Sequence, residues 1–106
     1  MRVKVIVIGG GASGLVAAIH AAMNNVVILL EKNKNCGKKI SITGNGKCNF
    51  FNEDFSLKHF NSSDLKLIPS FENAKEKILT LMKQIGVEYY EKNGYYYPLS
   101  NQATTV

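Results

Sequence analysis

At 106 residues the chain has room for one domain, which can bury about two thirds of its unfolded surface. Hydrophobic residues make up 45% of it and charged residues 20%, an ordinary globular composition, and a net charge of +5 does not by itself establish nucleic-acid binding. Cys36 and Cys48 are too few for a disulfide scaffold and no run reaches the roughly 18 apolar residues of a membrane span, so a reducing, cytoplasmic setting with no membrane or nucleic-acid partner is expected.

Val3 to Ile8 is a β-branched apolar run that reads as a strand buried on both faces. Arg2 and Lys4 ahead of it, with Ala21-Ala22 behind, could suggest a signal peptide, but four glycines between residues 9 and 14 interrupt the apolar stretch. Those glycines, in Gly9-Gly10-Gly11-Ala12-Ser13-Gly14, have the spacing G-x-G-x-x-G. Leu15, Ile19, Ala22 and Met23 then recur on one helical face, and Asn24-Asn25 is expected to close the helix through a left-handed residue. Val26 to Leu30 is a second buried-looking strand with Glu31 at its end, 22 residues beyond Gly9. Strand, glycine turn, helix, strand and acid in this order form a βαβ dinucleotide-binding unit.

Each residue type has a physical role in such a unit. Gly9 permits the tight turn, Gly11 lacks the Cβ that would hold a pyrophosphate off the backbone, and Gly14 lets the helix pack closely on the sheet. The helix N-terminus offers N–H groups and partial positive charge to phosphates. Glu31 stands where a carboxylate accepts hydrogen bonds from a ribose, and it would repel the 2′-phosphate of NADP.

Residues 32–47 hold five lysines and no acid. From Gly37 to Asn49 the composition is glycine and small polar residues, and Gly44-Asn45-Gly46 allows unusual backbone angles and close approach to a ligand. The residues alone leave two readings open, a second cofactor-binding loop or a solvated basic loop. Further on, Leu65 to Ile68 reads as a helical turn ended by Pro69. His20 and His59 have no nearby partner of metal-ligand or triad type and read as surface or packing residues. Asn73 and Glu76 resemble a capping box opening a helix whose apolar face is Ala74, Ile78, Leu81, Met82 and Ile85, with Gly86 as its C′ residue. Val87–Lys92 and Tyr95–Tyr97 flank Asn93-Gly94, a strong two-residue hairpin signal. Its tyrosines could form a base-stacking platform, although half-exposed strands favour tyrosine for structural reasons and that reading is preferred.

Three blocks of the sequence resemble the bacterial Rossmann-fold flavoproteins of the aminoacetone-oxidase-like type. The first is Val5 to Leu15 with Glu31. The second, Gly37-Lys-Lys-Ile-Ser-Ile-Thr-Gly-Asn-Gly-Lys-Cys-Asn with Asn52 beyond, is similar to that family's Gly-Arg-Lys…Ser-Gly-Gly-Gly-Arg-Cys-Asn block. The third is Gly86-Val87, Glu91, Gly94 and Tyr97-Pro98-Leu99-Ser100. Lys38 and Lys47 stand where the family has arginine, keeping the charge without the planar fork. Asn45 replaces a glycine, and Tyr95 an arginine.

The resemblance implies an α/β chain: the N-terminal βαβ part of a Rossmann-like FAD-binding domain, followed by a helix and a β-hairpin. It implies FAD as the cofactor, bound by Gly9, Gly11, Ala12, Ser13, Gly14, Glu31, Lys32, Lys39, Thr43, Gly44, Asn45, Gly46, Lys47, Cys48 and Asn49. Family members are much longer, so residues 1–106 read as a partial domain from the front of a larger oxidoreductase acting on a small molecule. No catalytic base is identifiable. The fragment alone is expected to be inactive and to self-associate through open sheet edges. Alternatives are a nucleotide-binding module without turnover, a basic nucleic-acid-binding domain, and a flavin disulfide reductase using Cys36 and Cys48. Those reductases carry C-x-x-x-x-C, whereas eleven residues separate these two cysteines.

Overall fold

The computed structural model of the chain describes residues 4–61, 64 and 73–106. It opens with strand β1 (Lys4–Ile8), helix α1 (Ala12–Ala21) and strand β2 (Val26–Leu30). β1 and β2 pair in parallel, with Val5 opposite Val27, Ile6 opposite Ile28, Val7 opposite Leu29 and Ile8 opposite Leu30. This is a right-order βαβ unit of a Rossmann-like α/β fold. Val3 and the turn expected at Leu65–Ile68, with Pro69, lie outside the described residues.

The two strands are not buried on both faces. Burial alternates along each, and Val5, Val7, Val27 and Leu29 form the more covered side. Val7 points toward α1, lying 3.7 Å from where a Cβ on Gly14 would sit. The opposite face is bare: Ile8 is 85% exposed and Ile6 58%, alongside Val26, Ile28 and Leu30. A parallel sheet is normally covered on both sides, which is why its strands are apolar throughout. Here the sequence is written for two covered faces, and among the described residues α1 covers one of them.

α1 is also shorter than its apolar periodicity predicts. It ends at Ala21, with Ala22 N donating to Ala18 O and Met23 N to His20 O. Neither Asn24 nor Asn25 takes a left-handed conformation. Asn25 instead closes the end with its side chain, Nδ2 donating to Ala21 O at 3.0 Å. The short amide thus fills an open helix carbonyl and makes a left-handed residue unnecessary.

The second half is built around a three-stranded antiparallel sheet, order β3 (Phe51–Asn52), β5 (Tyr95–Pro98), β4 (Tyr89–Lys92). Asn93 and Gly94 both have positive φ, 54° and 82°, as a tight hairpin turn requires. α2 (Ala74–Gln84) presents Leu81 and Met82 to the core. Gly86, at φ 80°, ends it as expected: Gly86 N donates to Lys83 O and Val87 N to Met82 O, a Schellman closure. The helix start differs from the capping box. Asn73 is left-handed (φ 61°) and its side chain makes no capping bond, because an N-cap needs extended backbone to aim its oxygen at the N–H groups. Near this end Glu53, just past β3, accepts through Oε1 from Lys75 Nζ on α2 and from the Tyr96 hydroxyl on β5.

The core consists of Cys48, Leu81, Met82, Val87, Tyr96, Pro98 and Ala103. Phe50, Phe51, Tyr89 and Tyr96 surround one another with ring centroids 5.6 to 6.2 Å apart. Among the described residues no helix is long and apolar enough to cross a membrane.

Candidate nucleotide-binding site

β1 delivers the chain directly into the glycine turn. Gly9 N donates to Leu30 O at 2.7 Å, which extends the β1–β2 ladder by one bond, and at φ 98° only glycine is unstrained there. Gly14 sits in the first turn of α1, where a Cβ would lie 1.9 Å from Gly9 O; no side chain fits without moving backbone. The helix starts at Gly11, with Leu15 N donating to Gly11 O at 2.9 Å, so the N–H groups of residues 12–14 precede its first internal bond.

Gly11 is different from its neighbours. Its backbone is extended (φ −79°, ψ −172°), a conformation any residue adopts, and a Cβ built on it meets no atom within 4 Å. Neither strain nor packing within the chain requires glycine at this position. The space above it is open.

Glu31 ties the turn together. Its Oε1 accepts from Gly10 N at 3.0 Å, and its Oε2 accepts from Asn33 N at 3.0 Å and Asn33 Nδ2 at 3.3 Å. The Asn33 and Gly10 backbone bonds hold the carboxyl below the usual glutamate range, so it is an anion at neutral pH. Three donors occupy a group with about four acceptor positions, which leaves room for a further donor. The sequence pointed to the acid. It gave no sign of the Gly10 contact, and the only cue to Asn33 is a short polar residue two positions after an acid.

Gly10, the buried member of the turn, is also contacted from the basic loop. Gly37 N donates to Gly10 O at 2.7 Å, and a Cβ on Gly10 would fall 2.7 Å from Cys36 Sγ. These contacts set the loop against the glycine turn. A cavity of about 820 Å³ adjoins the loop, lined by Leu15, Asn33, Cys36, Lys38, Ser41 and Ala103 among others, and neither Gly9–Gly14 nor Glu31 lines it. The buried Ala103 begins a short 3-10 turn (Ala103–Thr105) that packs on the loop, a role for which the sequence carries no local signal.

Residues 40–46 form 3-10 turns with a kink, left-handed at Gly44 and Asn45 (φ 55° at both), and Gly46 follows at φ 80°. A Cβ on Gly44 would be 2.7 Å from Asn49 N. The expected unusual backbone is thus present, and part of it serves internal packing. Thr43 Oγ1 donates to Ile40 O at 2.7 Å, and Ser41 Oγ to Lys38 O at 2.6 Å. Asn49 Nδ2 is oriented to donate to Phe51 O at 3.0 Å and Tyr96 O at 3.2 Å, pinning the loop to the three-stranded sheet. Cys48 is buried, and burial pushes its thiol up while a Thr43 hydrogen bond pulls it down. Lys32, Lys39 and Lys47 are exposed, as are Ala12, Ser13 and Asn45.

Both cysteines are free. Cys36 is exposed beside Gly10 and Cys48 is packed into the core, an arrangement unlike a redox pair. His20 is exposed on α1, its Nδ1 2.9 Å from Val16 O. His59 departs from expectation by having an acidic partner: its Nε2 is 2.7 Å from Asp54 Oδ2, and both groups are about half exposed. That carboxyl also accepts from Ser56 N and the Ser56 hydroxyl, which makes it the centre of a surface turn rather than a relay. Among the described residues no group of three or more His, Cys, Asp or Glu side chains could hold a metal.

Comparison with known proteins agrees with this geometry. The chain is 39% identical over 109 residues to the 3-dehydro-bile acid delta(4,6)-reductase of Clostridium scindens, covering 94% of this chain and 26% of that protein. It is 31% identical over 90 residues to the ribosomal RNA dihydrouridine synthase of Haemophilus influenzae, covering 82% of this chain and 22% of the relative. The chain therefore spans about a quarter of the length of the curated relatives it matches. Residues 3–106 match the family described as HI0933-like protein Rossmann domain, and the chain belongs to that family, carrying its Rossmann-type nucleotide-binding domain.

Proposed function

We propose that the chain is the N-terminal FAD-binding segment of a flavin-dependent oxidoreductase. The observation that carries the reading is Gly11, a glycine that the fold does not need and whose open side faces away from the chain. A dinucleotide pyrophosphate is the ligand for which a missing Cβ, three N–H groups at a helix start and a βαβ turn fit together. Gly9, Gly11, Ala12, Ser13 and Gly14 would receive the pyrophosphate and Glu31, with Lys32 next to it, the ribose. Lys39, Thr43 and the turn from Gly44 through Asn45, Gly46, Lys47 and Cys48 to Asn49 would follow the cofactor toward its ring. FAD rather than NAD is supported by the likeness of residues 37–49 to the flavoprotein block.

The isoalloxazine supplies the redox chemistry when bound; the chain's own residues bind and orient it. The reductase among the relatives supports an oxidoreductase acting on a small molecule, with turnover requiring more polypeptide than these 106 residues. The disulfide-reductase alternative is disfavoured by the separate surroundings of Cys36 and Cys48. Denaturing the purified full-length protein, of which this chain is the proposed segment, and identifying the released cofactor tests the reading. FAD in the supernatant supports it, and NAD, FMN or no dinucleotide would end it.

A further inference from the structure

The turn at residues 44–49 has a second side. A cleft of about 440 Å³ opens between Gly44, Asn45 and Lys47 on one wall and Tyr90, Lys92 and Tyr97 on the other. None of these residues lines the cavity that adjoins the basic loop. The segment from residue 40 to 49 thus acts as a partition, with Ile40 and Ser41 on one cavity and Gly44 and Asn45 on the other.

Both walls are built. Tyr90 and Lys92 are two residues apart on β4 and share a face, and Tyr90 is registered opposite Tyr97 on β5. The two tyrosine rings stack with centroids 5.7 Å apart and planes 24° apart, and the Tyr90 hydroxyl is held by Asn101 Oδ1. Across the gap, the left-handed pair Gly44-Asn45 is spanned by hydrogen bonds from Lys47 N to Gly44 O at 3.1 Å and from Cys48 N to Thr43 O at 3.0 Å. A stacked tyrosine pair, a left-handed turn across from it and a lysine on each side line the cleft. No acid is among the residues lining it.

We propose that this cleft binds a small anion carried on a flat ring, the ring lying on the Tyr90–Tyr97 wall and the charge between Lys47 and Lys92. The cleft shares Gly44, Asn45, Lys47 and Asn49 with the segment assigned to the cofactor above. As a substrate subsite it therefore rests on the flavin reading, and its anion binding is read separately from flavin content. A carboxylate and a phosphate ester share the required chemistry, and the test separates them.

The experiment titrates the purified protein with 2-naphthoate, 2-naphthyl phosphate and the neutral 2-naphthylmethanol, following tyrosine emission. The neutral probe should bind more weakly than at least one of the anions, and the anion preference should shrink as salt is raised. Lys92→Gln should weaken the preferred anion about threefold and Lys92→Glu about tenfold, the range of exposed ion pairs. Equal binding of the neutral probe, no binding of any probe, or anion affinity unchanged in both Lys92 variants would overturn the proposal. Flavin content read on the same samples separates the two claims. Protein that binds the anion but releases no FAD ends the flavin reading alone, and protein that holds FAD but ignores every probe ends this one alone.

Discussion

Residues 4–36 and residues 37–106 differ most in where their apolar side chains go. The first segment is the more apolar in pattern, with two β-branched strands and a helix, yet it contributes no apolar side chain to the core; its one buried residue is Gly10. Every buried apolar side chain among the described residues comes from Cys48 to Ala103, on a segment whose pattern is more polar. The difference shows two ways of fixing geometry. The glycine turn is held by backbone bonds and one carboxylate (Gly9 to Leu30, Gly10 to Glu31, Gly37 to Gly10), whereas the hairpin side is held by packing. The bare face of Ile6, Ile8, Val26, Ile28 and Leu30 is what a parallel sheet presents before its second layer is added.

The comparison predicts unequal mutational costs. Leu81→Ala should cost about 3 kcal/mol in a urea unfolding experiment, the usual range for emptying a core leucine site. Gly14→Ala should cost about 2 kcal/mol, because the new methyl overlaps Gly9 O and α1 must shift off the strand. A Gly14→Ala protein as stable as the parent would show that α1 and the turn are not in close contact. Ile8→Ser, at the other extreme, should change stability by less than about 0.5 kcal/mol. In the 106-residue chain on its own, Ile8→Lys should reduce self-association in size-exclusion chromatography, since it charges the open face next to the sheet edge.

How much of this was legible depends on the range of the interactions involved. The βαβ order, the hairpin at Asn93-Gly94 and the Gly86 closure are local: a φ sign or an apolar period decides them within a few residues. The tie from Gly10 to Glu31 spans 21 residues, that from Glu53 to Tyr96 spans 43, and β3 is only two residues long, so none leaves a local pattern. The side-chain cap expected at Asn73 is absent because that residue is left-handed, a backbone angle the capping-box pattern does not announce. In the candidate site, the four glycines were legible as a motif. The separate roles of Gly9 in the turn, Gly14 in helix packing and Gly11 in neither follow from the motif, and the structure adds the φ of 98° at Gly9, the 1.9 Å approach at Gly14 and the open space at Gly11.

A pH series probes the electrostatic half of the comparison. Glu31 is held below its ordinary value by the Asn33 and Gly10 hydrogen bonds, and Glu53 by those from Lys75 and Tyr96. A carboxyl depressed in the folded state contributes stability that is complete above its unfolded value, about 4.3, and is lost as pH falls through the folded value. The unfolding midpoint should therefore be flat from pH 7 to 5 and fall below about pH 4. Glu31→Gln and Glu53→Gln should each shallow that fall; an unchanged acid limb in both variants would place the titrating contacts elsewhere.

The most direct test of the central claim is the flavin content of purified Gly11→Val protein measured beside its unfolding midpoint. Extended backbone and empty space at this position predict a midpoint close to that of the parent stripped of FAD, while the branched side chain fills the volume a pyrophosphate would take and the FAD absorption bands are lost. A Gly11→Val protein that folds normally and keeps one FAD per chain would contradict the assignment of the glycine turn as the cofactor's phosphate site.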